Sequence, residues 1–179
     1  MSAAVKRYHP ILIILHWLLA LGILLALGIG SFVLDGMKNS DPQKANLLTG
    51  HVIFGLLILT LTLVRLAVRV RSARPAPLAS GKPLMDKLAV GIHHLLYTLT
   101  VLTALAGMGL VLSAHLFPVL FQHAGSLPDD FNEFIAHGIH GALAYAMLGV
   151  IALHVAGALQ HQFILNDGIF SRISLRDKE

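Results

Sequence analysis

The sequence predicts an all-α fold: an integral membrane four-helix bundle with both termini cytoplasmic, residues 1–179 forming a single transmembrane domain. Three observations lead to it. Of the 179 residues, 56% are hydrophobic and only 12% are charged, a balance that leaves too little polar surface for a soluble domain. Apolar runs over about 11–34, 47–68, 88–114 and 134–165 each reach the ~20 residues that a helix needs to cross a bilayer. The basic residues alternate with these runs. Lys6 and Arg7, then Arg65, Arg69, Arg71, Arg74, Lys82 and Lys87, then Arg172, Arg176 and Lys178 fall on one side, with Lys38 and Lys44 opposite.

Charge and cysteine content narrow the function. The net charge of +4 follows from this asymmetry and suits anionic lipid headgroups. No soluble domain presents the cations to nucleic acid. The chain has no cysteine, which excludes disulfides, thiolate-held iron–sulfur clusters and covalent haem attachment through C-x-x-C-H. A metal here must be held by histidine, methionine or oxygen.

The first run follows a short arm, MSAAVKRYHP, with Pro10 suited to a first helical turn, where its missing N–H costs nothing. The run is longer than a signal-peptide core and no A-x-A-like site follows Gly30, so it is expected to stay as a spanning helix. His16 lies a turn or two into it. Trp17 is either an interfacial belt residue or a packing surface for a cofactor. A polar loop, DGMKNSDPQK, leads through Asp41-Pro42 into the second helix, whose LLTGHVIFG puts His51 near the outer face. Arg65, at the other end, either snorkels to the inner surface or meets a haem propionate. The basic, proline-rich linker from Arg71 to Lys87 joins neighbouring helix ends.

The third run opens with His93-His94, followed by Tyr97, Thr98, Thr100 and Thr103. Adjacent residues point about 100° apart on a helix, so at most one of the two histidines faces a given target. Gly107 and Gly109 mark close helix contact further out. The outer loop carries Asp129, Asp130 and Glu133 and is expected to include a short interfacial helix.

The fourth run organises the rest. From His137 to Phe163 it has four histidines and no carboxylate, lysine or arginine. The 14 residues from His140 to His154 bring the second ring back to within roughly 40° of the first, about 21 Å along the axis. Met147 lies between them on the same stripe, and His161 follows about 10 Å beyond. Polar side chains in lipid are costly unless they face a bundle interior, which makes the stripe a candidate functional site. Helix directions then match depths: His51 pairs with His140 on the outer side, and His16 with His154 on the inner side. Each of the four has a small residue one turn on (Gly55, Ala144, Ala20 and Ala158), leaving room for a flat cofactor; His137 also has Gly141 there. Structural zinc prefers about four compact ligands, so bis-histidine haem b fits better.

HW at His16-Trp17, GHVIFG around His51, LVRLAVRV ending the second helix, HHLLY at His93–Tyr97 and HG-x11-LH-x6-H from His140 to His161 resemble the bacterial cytochrome b561 family. That family is related to the b-haem subunits of nickel hydrogenases and formate dehydrogenases. The resemblance covers nearly the whole chain. It implies two b haems stacked across the bacterial inner membrane, with His16, His51, His140 and His154 at the axial-ligand positions. It also implies a propionate or supporting role for His93 and exchange with ubiquinone near His161. Two functions follow: a complete enzyme passing electrons from an outer donor, with superoxide as the candidate, to quinone, or a b-haem subunit fed by a redox protein partner. A haem-free metal or proton transporter using the histidine stripe is the third reading. For superoxide, Lys38 and Lys44 would help steer the anion, joined by His115, His123 and His137 when protonated, against Asp35, Asp41, Asp129, Asp130 and Glu133.

Overall fold

The computed structural model describes residues 7–73, 75–76 and 83–175. Four helices are long and apolar enough to cross a membrane. Helix α1 (Pro10–Gly28) runs on into a π-helical segment, Ile29–Leu34. It is followed by α2 (Pro42–Arg71), α3 (Pro83–Ser113) and a short α4 (Phe117–Phe121). A 3-10 turn at Phe131–Glu133 precedes α5 (Ile135–Leu159), which also ends in a π-helical segment, Gln160–Ile164, before the short α6 (Ile169–Arg172). Together α4 and the 3-10 turn supply the expected helical structure in the long loop between α3 and α5.

Capping chemistry sets the helix starts. Pro10 opens α1 as expected, behind His9, whose Nδ1 accepts from the Ile11 amide at 3.3 Å. Asp41 caps α2, its Oδ1 accepting from the Gln43 amide at 2.8 Å. Helices α2 and α3 begin at Pro42 and Pro83, each five residues ahead of its apolar run. Hydropathy locates the hydrocarbon-embedded part of a helix, whereas its start is fixed by a cap or a proline in the polar interface.

Packing is closest between α3 and α5, then between α1 and α2, with α2 also against α3. Most remaining apolar surface points outward: only 6% of the most apolar 18-residue window of the last span is buried. Side chains such as Phe32, Leu21, Ile135 and Leu153 are exposed. This is the surface that lipid covers.

The first and last described segments meet at one end of the bundle. The Tyr8 amide donates to the Arg172 carbonyl at 3.3 Å, Trp17 Nε1 to the Ile173 carbonyl at 3.0 Å, and Arg172 Nη1 to the Ala76 carbonyl at 2.6 Å. Lys6, Arg74, Lys82, Arg176 and Lys178, counted above for topology, lie outside the described residues.

The opposite end holds a compact apolar core of Leu110, Val111, Leu116, Leu120, Leu127 and Phe131. Lys44 clamps the loops over it. This side chain is only 6% exposed; its Nζ donates to the Met37 carbonyl and to Asn39 Oδ1, both at 2.7 Å, and lies 5.6 Å from the Phe131 ring centre. Asn39 Nδ2 in turn donates to the Pro128 carbonyl at 2.8 Å, tying the first loop to the second. The expectation that Lys44 is a surface cation free to steer an anion is therefore corrected. Its ammonium is turned inward, because a buried charge needs partners and the two loops supply them.

Candidate functional site

Helix α5 sets the frame. Its period turns His140, Met147 and His154 toward the bundle interior, and each histidine meets one from another helix. The His51 and His140 rings have centres 6.1 Å apart at 83°. Those of His16 and His154 are 6.2 Å apart at 77°. Both depth-matched pairs are thus brought together, by α2 with α5 and by α1 with α5, although neither α1 nor α2 packs as extensively on α5 as α3 does. Between the two pairs in sequence, Met147 is 5% exposed and its Sδ accepts from Thr100 Oγ1 at 3.7 Å.

Two glycines and a carbonyl surround the His51–His140 pair. His140 donates its Nδ1–H to the Thr103 carbonyl of α3 at 2.9 Å. A Cβ on Gly107, one turn along α3, would lie 3.0 Å from His140 Cε1 and 3.1 Å from its Nδ1. A Cβ on Gly30 would come within 3.3 Å of His51 Cε1. Gly30 belongs to the π-helical end of α1, so the wider turn there lies against the His51 ring. The nitrogen His51 Nδ1 is buried without a hydrogen-bond partner among the described residues. Gly109, by contrast, meets only Ala136 at ordinary contact distance.

At the terminal end, the His16 ring stacks edge-on against Trp17, with centres 5.2 Å apart. Trp17 itself stays exposed while its indole N–H holds the C-terminal segment. The ring of His93 is 5.0 Å from that of His154 at 82°, and its Nδ1–H donates to the Ala89 carbonyl at 2.6 Å. His94 Nδ1 donates to the Val90 carbonyl of its own helix instead. The 100° separation is realised: one of the two histidines reaches the cluster.

Arg65 does not snorkel. Its Nη1 donates to Tyr97 Oη at 2.5 Å, its guanidinium lies 5.5 Å from the Tyr97 ring centre, and its Nε is buried without a partner among the described residues. Its charge lies within electrostatic reach of His16, His93 and His154. The phenol supplies inside the bundle what water would supply outside, which is why the side chain turns inward.

His161 occupies the π-helical end of α5, where its Nδ1 lies 2.5 Å from Asp167 Oδ2. Sequence reasoning missed Asp167. The signal was the Asn166-Asp167-Gly168 turn directly after the last apolar run, which folds the chain back on the helix end.

These residues fit the haem that the sequence resemblance implies. Two imidazoles on opposite sides of one metal, with metal–nitrogen bonds of about 2 Å, place their ring centres roughly 6 Å apart. Both pairs have that separation, and His93 with His154 is shorter. The Nδ1–H of His140, held by a backbone carbonyl, leaves Nε2 as the nitrogen available to a metal. Among the described residues, no three His, Asp or Glu side chains gather closely enough to hold a bare metal ion.

The model of the prokaryotic cytochrome b561 family matches residues 7–174. The chain is 26% identical over 172 residues to the probable superoxide oxidase CybB of Yersinia pestis, covering 94% of this chain and 96% of that protein. It is 30% identical over 179 residues to cytochrome b561 homolog 2 of Escherichia coli K12, covering 94% and 91%. Cytochrome b562 of Cereibacter sphaeroides is 31% identical over 123 residues, 69% of this chain and 65% of that protein.

Proposed function

The chain belongs to the prokaryotic cytochrome b561 family, and from that premise we propose that it carries electrons across the bacterial inner membrane from superoxide to ubiquinone. The observation that supports this reading is the pair of imidazole pairs, 14 residues apart on α5, each with the separation that a shared iron requires. His51 with His140 holds an outer b haem and His16 with His154 an inner one. When bound, the b haems would supply one-electron redox chemistry, with these four imidazoles as the groups that would hold them.

The chain's own residues do the rest. The Thr103 carbonyl and Gly107 fix the His140 ring; Gly30 leaves room for the His51 ring. Arg65, oriented by Tyr97, offers its unpaired Nε–H and its charge to propionate. His93 supports His154 from the side. On the outer face two superoxide anions are oxidised to dioxygen, each giving one electron. On the cytoplasmic face, which both termini share, one ubiquinone takes the two electrons and two protons to become quinol, with His161 as hydrogen-bond donor. The name and near-complete coverage of the Yersinia pestis relative support superoxide as donor.

One observation favours the second reading, a b-haem subunit fed by a redox protein. The outer loops carry Asp35, Asp41, Asp129, Asp130 and Glu133 against Lys38 and the buried Lys44. That face repels an anion and suits a cationic protein. Stopped-flow mixing of the oxidised protein with superoxide separates the two. Haem reduction faster than spontaneous loss of superoxide supports the enzyme, and reduction no faster than that loss leaves the partner-fed conduit.

A further inference from the structure

Where α5 leaves the bundle, the chain turns back on itself. Asn166 (φ 51°) and Gly168 (φ 67°) both adopt the left-handed conformation, which asparagine and glycine tolerate best. The reversal presents the Asp167 amide to the His161 carbonyl at 3.3 Å. It also lets the Phe170 amide reach Gln162 Oε1 at 3.3 Å and Ser171 Oγ the Gly168 carbonyl at 2.7 Å. The next residues are tied to α1 through Trp17 and the Ile173 carbonyl, beside His16. Asp167 is thereby delivered to His161 by a turn anchored at both ends.

The contact itself is specific. A carboxylate only accepts, so the His161 Nδ1 carries the hydrogen and Nε2 is the ring nitrogen left for a ligand. The two side chains are 18% and 21% exposed, close to water without being surrounded by it. Asp167 Oδ1 is buried without a partner among the described residues. The hydrogen bond that the carboxylate makes among the described residues is therefore the one to the imidazole.

We propose that Asp167 is the positioning residue that makes His161 the proton donor to ubiquinone. The inference rests on the reading that quinone reacts at His161. The reaction adds two electrons, arriving one at a time by way of the b haem that His16 and His154 would hold and originating in two donor molecules, and two protons to the quinone, turning both carbonyl oxygens into hydroxyls. His161 gives its Nε2 proton to one oxygen and regains a proton at Nε2 from cytoplasmic water; the other oxygen takes its proton from water. Throughout, Asp167 keeps the Nδ1–H and stabilises the imidazolium before transfer, as carboxylates do for imidazoles in other sites.

The test compares His161→Ala, Asp167→Asn and Asp167→Glu in the haem-loaded, full-length protein. Asp167→Asn keeps the shape and loses the charge. Its kcat for quinol formation should fall on the order of 10- to 100-fold, with an unchanged KM for quinone and an unchanged haem spectrum, and Asp167→Glu should recover most of the rate. A second readout needs no turnover: the strongly deshielded Nδ1–H proton resonance of His161 should be present in the parent and absent in Asp167→Asn. Wild-type quinol formation by His161→Ala overturns the quinone site itself. A slow His161→Ala beside an Asp167→Asn with the parent's rate overturns the role of Asp167 alone. If Asp167→Asn loses haem, Asp167→Glu decides: haem kept with the rate recovered supports the proposal, and haem kept with the rate lost overturns it.

Discussion

His140 on α5 donates its Nδ1–H to the Thr103 carbonyl on α3 across 2.9 Å, and its ring rests against Gly107 one turn further along the same helix. The closest helix pair in the bundle is therefore also the one that aims an imidazole, so helix packing and the orientation of the His140 ring are coupled at one point.

Gly107→Ala tests that coupling. The added methyl would sit 3.0 Å from Cε1, too close unless the ring shifts, and overpacking of this kind costs about 1–3 kcal/mol. The variant should retain the inner haem while the outer haem is lost or shows an altered spectrum and a shifted potential. An unchanged spectrum and midpoint would mean that the ring moves without consequence.

His51→Ala and His140→Ala should each leave about one haem per chain, whereas His16→Ala and His154→Ala should each remove the other. The pyridine haemochrome count per chain, together with the split of the α-band, reads this out. Two intact haem signals in either outer variant would break the pairing.

How far the sequence foretold these features depends on the distance over which each is determined. The stripe of His140, Met147 and His154 is a property of one helix, so 100° per residue was enough to find it. Pairing with His51 and His16 needed only helix direction and depth. Arg65 needed a partner on another helix, Tyr97, which no local pattern reveals, so the sequence alone leaves snorkelling and an inward contact both open. By sequence Lys44 is placed to help steer an anion, whereas its burial depends on Phe131 and Asn39 meeting it from two loops, which no local pattern carries. The contact of His161 with Asp167 crosses a left-handed turn at Asn166, and periodicity carries no information past a chain reversal.

Lys44→Met keeps the aliphatic stem and removes the ammonium, leaving the Met37 carbonyl and Asn39 Oδ1 without their donor. Losing a buried partner costs about 1–3 kcal/mol. The holoprotein should unfold at lower temperature in detergent, followed by helical circular dichroism, while the rate of haem reduction by superoxide changes little. A large fall in that rate without loss of stability would restore Lys44 to a steering role.

The outer charges also fix the sign of a salt effect. Lys38 is the exposed lysine of the outer loops, facing exposed Asp35, Asp129, Asp130 and Glu133 with Asp41 half-buried. An anion approaching this surface is repelled on balance, and repulsion between exposed charges weakens as the screening length falls from about 30 Å at 0.01 M salt to about 10 Å at 0.1 M. If encounter limits the rate, haem reduction by superoxide should therefore rise with ionic strength by a few-fold. Asp129→Asn combined with Asp130→Asn should raise the low-salt rate and flatten its salt dependence. Stopped-flow traces over that range measure both effects. A rate that falls with salt would show that a local cation such as Lys38 outweighs the five carboxylates at the point of electron entry. A cationic redox protein should show the opposite dependence, reducing the haem fastest at low salt, and comparing the two donors on one preparation tells which of them the outer face is built to receive.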